Sequence, residues 1–140
     1  MHSPVSFLPS AIGRCSLVIF LFASCGSSDP RPVDLFPEDI CAECRMAISA
    51  EQFAAEIVDA KGEAYKFDDI ACMLSFGAQR TDLQGATMFV KDFDTRGWLA
   101  FGSATIVETA VQTPMGSGKV AFGDKTRALD FQRQYTASGQ

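Results

Sequence analysis

The sequence has almost no histidine: among its 140 residues the only one is His2. Histidine is the general base of Ser-His-Asp and Cys-His mechanisms, and imidazole is the usual nitrogen ligand of Zn²⁺ and Cu(II). Because His2 lies in a leader that we expect to be removed, the mature chain has no imidazole at all. The sequence therefore argues against hydrolases of these kinds and against metal sites built on histidine.

Positive charge and long apolar runs are also scarce. Lys and Arg number 12 against 17 Asp and Glu, which gives a formal net charge of −5. An acidic chain without a basic stripe is a poor match for nucleic acid or for anionic lipid head groups. The apolar run at 16–23 is too short to span a bilayer, but it has the length of a secretory signal core. We therefore expect export and no nucleic-acid partner.

The leader ends in Leu21-Phe22-Ala23-Ser24-Cys25, and Arg14 is the fixed positive charge before its apolar run. This pattern resembles the lipobox of bacterial lipoproteins, in which the cysteine is acylated, for example with palmitate, and becomes the first residue. We predict a signal peptide at 1–24, a lipidated Cys25, and a protein held to the cell envelope facing the periplasm. The choice between inner and outer membrane stays open. An ordinary cleaved signal with a cysteine near the cut is the alternative.

Cysteine is limited to five residues, and two of them have other fates. Cys15 is removed with the signal and Cys25 is expected to carry the lipid. The mature domain therefore retains three thiols, those of Cys41, Cys44 and Cys72. An odd number of thiols in an oxidising compartment cannot close into a complete disulfide framework. At least one thiol must be free, paired with another chain or bound to a ligand.

The mature chain of about 115 residues is the size of one domain. Residues 25–39, rich in Ser, Pro and Asp, are predicted to be the lipidated N-terminus and a flexible tether. The folded domain is predicted at 40–136, followed by a disordered tail at 137–140.

Strand and turn patterns predict two hairpins, with turns at Lys61-Gly62 and at 94–97. Further strands are expected at 104–108 and 119–122, and helices from an Asp68 N-cap to Gly77 and over 124–135. The segments 67–76 and 122–131 match at four of ten positions, as a repeat or as shared strand-to-helix physics would produce. We predict an α+β fold of two related ββα-type halves, with short antiparallel strands and one helix each.

The side chains best suited to metal binding or redox chemistry are the sulfur-containing ones of the segment Cys41-Ala-Glu-Cys44-Arg-Met46. A Cys-x-x-Cys pair alone suits a redox pair, half a zinc site or a clamp for a soft metal. With no histidine and only a third cysteine, zinc lacks a fourth ligand, and the βαβ context of a thioredoxin-type pair is absent. Cu(I) accepts two or three sulfurs. If residues 44–48 are extended, Cys44 and Met46 project to the same side.

Each sulfur also has a structural interpretation. Cys41 and Cys44 could form a structural disulfide, Met46 could fill a core, and Cys72 lies among apolar residues of a predicted helix, where a buried cysteine is common. Met115 lies in a Gly-rich turn with little packing reason to be apolar, which favours a ligand. Met73 and Met88 are assigned to the core, and the Asp68-Asp69 pair to helix capping rather than acid–base chemistry.

The ordered motifs resemble the NosL family of copper-binding lipoproteins that are associated with maturation of nitrous oxide reductase. The resemblance is carried by Cys41–Ile48, by Phe67-Asp-Asp-Ile-Ala-Cys72-Met73 and by Thr113–Phe122. It implies a Cu(I) carrier rather than an enzyme, with candidate ligands among the sulfurs already named and a protein partner in a copper transporter or reductase maturation complex. The family usually has Cys-Gly-Met where this chain has Cys44-Arg45-Met46. The alternatives are a thiol–disulfide protein that uses Cys41 and Cys44, and a non-catalytic surface lipoprotein with structural sulfurs.

Overall fold

The computed structural model describes residues 29–137; the predicted signal peptide, Cys25 and the last three residues lie outside this range. The described chain has the predicted α+β composition. Its elements in chain order are β1 (Ala55–Val58), β2 (Ala64–Phe67), α1 (Ile70–Gln79), β3 (Thr87–Lys91), β4 (Trp98–Ala100), β5 (Thr105–Glu108), β6 (Lys119–Phe122) and α2 (Lys125–Ala137), with 3₁₀ turns at Glu51–Phe53 and Thr81–Leu83. Over this part of the chain, neither helix is long and apolar enough to cross a membrane.

The strands form two antiparallel sheets. The first has the order β2-β1-β3-β4, with Ala55 opposite both Phe67 and Val90, and the second is the β5-β6 ribbon. Successive residues of a strand point to opposite faces. One face of the larger sheet therefore carries Ile57 and Phe67, which pack with Met73 of α1 in the main core. Both predicted hairpins are confirmed.

Each helix follows a hairpin, so β1-β2-α1 and β5-β6-α2 are two ββα units. In the first unit the last strand residue, Phe67, stacks on Phe76 of the helix with ring centroids 5.2 Å apart. In the second unit Phe122 stacks on Phe131 at 5.1 Å. These pairs are the positions that matched between the two sequence segments. The predicted ββα-type halves are therefore confirmed, with the β3–β4 hairpin inserted between them and paired to β1.

The helix boundaries differ from the predicted ones. Asp69, not Asp68, is the N-cap of α1, since its side chain accepts a hydrogen bond from the Ala71 N–H at 2.8 Å. The helix also continues past Gly77 to Gln79. A Cβ on Gly77 would lie 3.1 Å from the Met88 side chain, so this glycine permits close packing on β3 rather than ending the helix.

Asp92 joins the two sheets. It follows β3, forms a parallel bridge with Ala121 of β6, and its Oδ2 accepts the Gly123 N–H at 2.7 Å. The Phe93 N–H donates to the Ala121 carbonyl at 2.9 Å. A second apolar cluster, half of it aromatic, comprises Ala50, Phe53, Phe93, Val107, Val111, Val120, Phe122, Ala128, Phe131 and Tyr135.

Residues 29–39 contain no helix or strand but contact the larger sheet. The Val33 N–H donates to Glu56 Oε1 at 2.9 Å, and Lys66 Nζ donates to the Asp34 carbonyl at 2.7 Å and pairs with Asp39 at 2.6 Å. Glu56 is fully buried, and this burial raises the pKa of its carboxyl above the usual value. The domain start at residue 40 stays a prediction. The hydrogen bonds show that residues 33–39, which precede it, already contact the larger sheet.

Candidate metal centre

The first two cysteines lie in a tight turn that is attached to β2. The Cys41 carbonyl accepts the Arg45 N–H at 3.0 Å, and the Cys41 N–H donates to the Met46 carbonyl at 2.8 Å. The Ala42 N–H donates to the Lys66 carbonyl at 2.8 Å, which fixes the turn to the end of the sheet. Arg45 has a φ of 68°, so residues 44–48 are not extended throughout, and the condition under which Cys44 and Met46 would project to the same side is not met. The chain must reverse here to let Cys41 bond to Met46.

The third cysteine comes to this turn from α1. Cys72 lies in the first turn of the helix and is buried. One donor atom from each of Cys41, Cys44, Cys72 and Asp68 lies within 4.8 Å of all the others. The three cysteines are free thiols. Three sulfurs and one carboxylate are therefore close enough together to bind a single metal ion.

Asp68 is the site residue that the sequence analysis assigned wrongly. Its side chain is only 2 % exposed, and Oδ2 accepts a hydrogen bond from the Cys44 thiol at 3.4 Å. Its Oδ1 is buried and has no hydrogen-bond partner among residues 29–137. The sequence did contain a sign of this role. Two adjacent carboxylates precede the helix, and since a helix start needs only one N-cap, the other carboxylate is available for a different partner. Asp69 is that N-cap, which leaves Asp68 for the cysteines.

Burial dominates the electrostatics of the thiols. Desolvation raises the pKa of Cys44, an effect that the neighbouring Met46 N–H partly opposes and that Cys41 and Asp68 reinforce. Desolvation also raises the pKa of Cys72, with Cys41 and Asp68 acting in the same direction. These thiols therefore keep their protons at neutral pH until a metal displaces them, since metal binding and proton release are coupled.

A second loop brings a thioether to the cysteines. Met115 is 45 % exposed and lines a solvent-open cavity of about 420 Å³ together with Glu43, Cys44, Ala71, Cys72 and Ser75. Cys44 and Met115 are 71 positions apart in the chain, so this proximity depends on the fold. An ion at the buried sulfurs would be reached from solvent past Met115.

Asp69 holds the Met115 loop in place. Besides capping α1, its carboxylate accepts hydrogen bonds from the Thr113 hydroxyl at 2.6 Å, the Met115 N–H at 3.1 Å and the Ser117 hydroxyl at 2.7 Å. The side chain is fully buried. One residue therefore connects the start of the helix that carries Cys72 with the loop that carries Met115.

Met46, a predicted ligand, belongs to the same turn as Cys41 and Cys44. Its side chain is 45 % exposed, so it does not fill a core, and it is absent from the lining of the cavity with Cys44 and Cys72. It directly precedes Ala47, which forms a bridge with Ile40, another exposed apolar residue. The structure thus brings Cys41, Cys44 and Cys72 together and places Met115 at the cavity of Cys44 and Cys72, while Met46 as a copper ligand stays a prediction. Met73 is fully buried, as predicted.

A family model for NosL matches residues 32–138, which is most of the chain. The chain belongs to the NosL family. Its fold is similar to the crystal structure of the copper chaperone NosL from Shewanella denitrificans, with a TM-score of 0.68 and 16% sequence identity, over 78% of this chain and 90% of that chain. A comparison with curated protein sequences found no significant match. At this identity the structural likeness establishes the fold.

The positive φ of Arg45 occurs at the position where the family resemblance implies a glycine. The usual glycine of the family at this place would adopt a φ of 68° without strain, because it has no Cβ. Arginine pays a conformational penalty to make the same turn. The φ of 68° at Arg45 is thus a conformation that suits glycine, the residue that the family resemblance implies for this position.

Proposed function

We propose that this protein is a membrane-anchored Cu(I) carrier, rather than an enzyme, that delivers copper for the maturation of a copper enzyme. The observation that carries the proposal is a cluster of three free cysteines, two of which, Cys44 and Cys72, line a solvent-open cavity together with Met115. Membership of the NosL family supports the same conclusion.

The donor set suits the cargo. Cu(I) is a soft ion that binds thiolate and thioether sulfur and accepts two or three ligands. Cys44 and Cys72 line the cavity, and Met115 stands at the same cavity with much of its side chain exposed. A partner that approaches this side can replace the weak thioether first and then take the ion from the thiolates. A site that stays partly open allows such transfer, unlike a closed four-ligand cage.

The anchor and the partner follow from the sequence and the family resemblance. Acyl chains on Cys25 would hold the domain at the envelope membrane, facing the periplasm. The copper acceptor would be nitrous oxide reductase or a transporter complex that serves it. Holding donor and acceptor on one membrane raises their effective concentration without any new contact.

An anaerobic Cu(I) titration of residues 26–140, which lack the lipidated Cys25, against a competing Cu(I) chelator tests the carrier function. We expect one equivalent to bind. Replacing a ligand sulfur should weaken binding by at least about tenfold in Cys44→Ser, Cys72→Ser and Met115→Leu. Met88→Leu is the matched control, because it makes the same change at a partly buried core position. Unchanged copper binding in both Cys44→Ser and Met115→Leu would refute the proposal.

The alternative is a thiol–disulfide protein, because the same three thiols lie close together. The raised pKa values of Cys44 and Cys72 oppose it, since the thiolate is the nucleophile in exchange. A reduction potential in the range of known oxidoreductases, together with no Cu(I) binding, would favour this alternative. Copper content unchanged by Cys44→Ser combined with Met46→Leu would instead favour a surface lipoprotein with structural sulfurs.

A further inference from the structure

Asp68 has a feature that Cu(I) carriage does not explain. Its carboxylate is almost fully buried, one oxygen accepts a hydrogen bond from the Cys44 thiol, and the other has no hydrogen-bond partner in the described part of the chain. Burying a carboxylate oxygen without a partner costs free energy. Cu(I) offers little compensation, because it prefers sulfur, whereas carboxylate oxygen suits harder cations. The arrangement needs a ligand that uses both kinds of donor.

We propose that Cys41, Cys44, Cys72 and Asp68 form a four-donor site for a divalent thiophilic cation such as Zn²⁺. Zn²⁺ binds thiolate and carboxylate together and prefers four tetrahedral ligands. The sequence argument against zinc counted three cysteines and no histidine, and the carboxylate of Asp68 is the missing fourth donor. This binding mode goes beyond the proposed copper function, because it uses a different donor set and does not involve Met115.

The distances fit such an ion. Tetrahedral Zn²⁺ with bonds of about 2.3 Å to sulfur and about 2.0 Å to oxygen requires sulfur–oxygen separations of about 3.5 Å and sulfur–sulfur separations of about 3.8 Å. The Cys44 sulfur is 3.4 Å from Asp68 Oδ2, and no pair of the four donor atoms is more than 4.8 Å apart. Closure around an ion therefore needs side-chain movements of about 1 Å or less.

The position of the site also favours a cluster of negative ligands. Cys72 lies in the first turn of α1, and Asp68 directly precedes the N-cap of that helix. The amino end of a ten-residue helix carries partial positive charge and free N–H groups, which stabilise nearby anions. Cys41 is fully buried behind them, which closes the side of the site away from solvent.

The two binding modes share Cys44 and Cys72, so the ions must compete. Zn²⁺ held by four donors leaves no open coordination position, whereas Cu(I) held with Met115 remains accessible from the cavity. A Zn²⁺-loaded protein would accept Cu(I) only by releasing its zinc. The carboxylate of Asp68 thus favours the binding of divalent ions, whereas the thioether of Met115 favours the binding of Cu(I).

Titration of the reduced mature chain with Zn²⁺, and with Co²⁺ as its spectroscopic substitute, tests the inference. We expect one tightly bound equivalent and the absorption of tetrahedral, thiolate-bound Co²⁺. Asp68→Asn should weaken Zn²⁺ binding by at least about tenfold and Cu(I) binding by less than about threefold. Met115→Leu should do the reverse. The matched control is Asp124→Asn, which makes the same change at the start of α2.

X-ray absorption of the Zn²⁺-loaded wild-type chain tests the donor set without any variant, so the inference stays testable if Asp68→Asn does not fold. Three sulfurs near 2.3 Å and one oxygen near 2.0 Å are expected. A shell without this oxygen, or wild-type protein that binds no Zn²⁺, would overturn the inference. Neither result would affect the copper proposal. Conversely, Zn²⁺ binding without Cu(I) binding would refute the carrier function and leave this site in place.

Discussion

At the scale of single residues, the cysteine turn depends on the backbone of Arg45. The left-handed conformation at φ 68° lets the Cys41 carbonyl accept the Arg45 N–H and lets Cys41 bond to Met46. A residue with a Cβ pays about 1 kcal/mol or more for this conformation. The side chain itself is exposed, so the strain is a property of the backbone.

Arg45→Gly should therefore stabilise the protein. Relief of the left-handed strain is partly offset by the greater freedom of glycine in the unfolded chain, so we expect a gain of about 0.5–1 kcal/mol in the free energy of unfolding. Urea unfolding with the thiols reduced measures it. Arg45→Ala removes the same side chain but keeps the Cβ, and it should give no gain. Equal effects of the two variants would place the cause in the arginine side chain.

At the scale of elements, α1 and the Met115 loop are organised by one buried carboxylate. Asp69 caps the helix and accepts three further hydrogen bonds from the loop. Asp124 is the corresponding residue of the second ββα unit, and it accepts the Arg127 N–H at 2.6 Å at the start of α2. Asp124 is exposed, and in the described chain its side chain bonds to the start of its own helix and not to the Met115 loop. A change at Asp124 therefore tests helix capping separately from loop positioning.

Asp69→Ala should lower both stability and Cu(I) affinity. Losing a buried carboxylate with four partners should cost about 2–4 kcal/mol, and releasing Met115 should weaken Cu(I) binding by about tenfold. Asp124→Ala should cost about 1 kcal/mol, the value of a helix cap, with copper binding unchanged. Chelator competition and urea unfolding measure the two effects.

A gentler change keeps the Asp69 prediction testable if that variant unfolds. Thr113→Val combined with Ser117→Ala removes two loop donors and leaves the helix cap intact. The expected result is weaker Cu(I) binding in this pair, with a loss of stability of about 1–3 kcal/mol because the buried carboxylate is left with fewer donors. Native copper affinity in the pair would show that the loop does not position Met115 for the ion.

The elements themselves were largely predictable from the sequence, and the site only in part. Hairpins and helices follow from local patterns, and the Phe67–Phe122 correspondence revealed the two ββα units. The turn at Arg45 was missed, because arginine gives no sign of a positive φ where glycine would. Asp68 was missed for a different reason: its partners come from a turn 24 residues away, and adjacent carboxylates look alike before folding assigns one to the cap.

At the scale of the whole molecule, Asp92 links the two sheets and so the two apolar clusters. Its buried carboxylate accepts the N–H groups of Asp94 at 3.0 Å, Thr95 at 2.8 Å and Gly123 at 2.7 Å. Burial alone would raise the pKa of Asp92, but these donors outweigh it and hold the pKa below the usual value. The ionised form therefore stabilises the native state.

The sign of the pH dependence follows from this lowered pKa. The contribution of Asp92 is complete above the unfolded pKa of about 3.9 and is lost as pH falls through the lower folded pKa. Asp92→Asn should cost about 2 kcal/mol at pH 7, and its difference from wild type should shrink below about pH 4. Urea unfolding across this range measures it. Asp94→Asn, which removes an exposed partner of Arg127, should change stability by less than about 1 kcal/mol at every pH. A difference that stays constant from pH 7 to pH 3 would contradict the assignment.

The hydrogen bond between Val33 and the buried Glu56 limits how far the domain can lie from a lipid anchor. With acyl chains on Cys25, as we propose, only eight peptide units separate the lipidated residue from Val33. Fully extended, these eight units reach at most about 29 Å. That is close to the thickness of a bilayer's hydrocarbon core. A domain tethered by a segment this short moves within a thin layer above the membrane instead of the full volume of the compartment. Its search for a partner would then be two-dimensional, and a partner whose receiving site stood well above that layer would be out of reach.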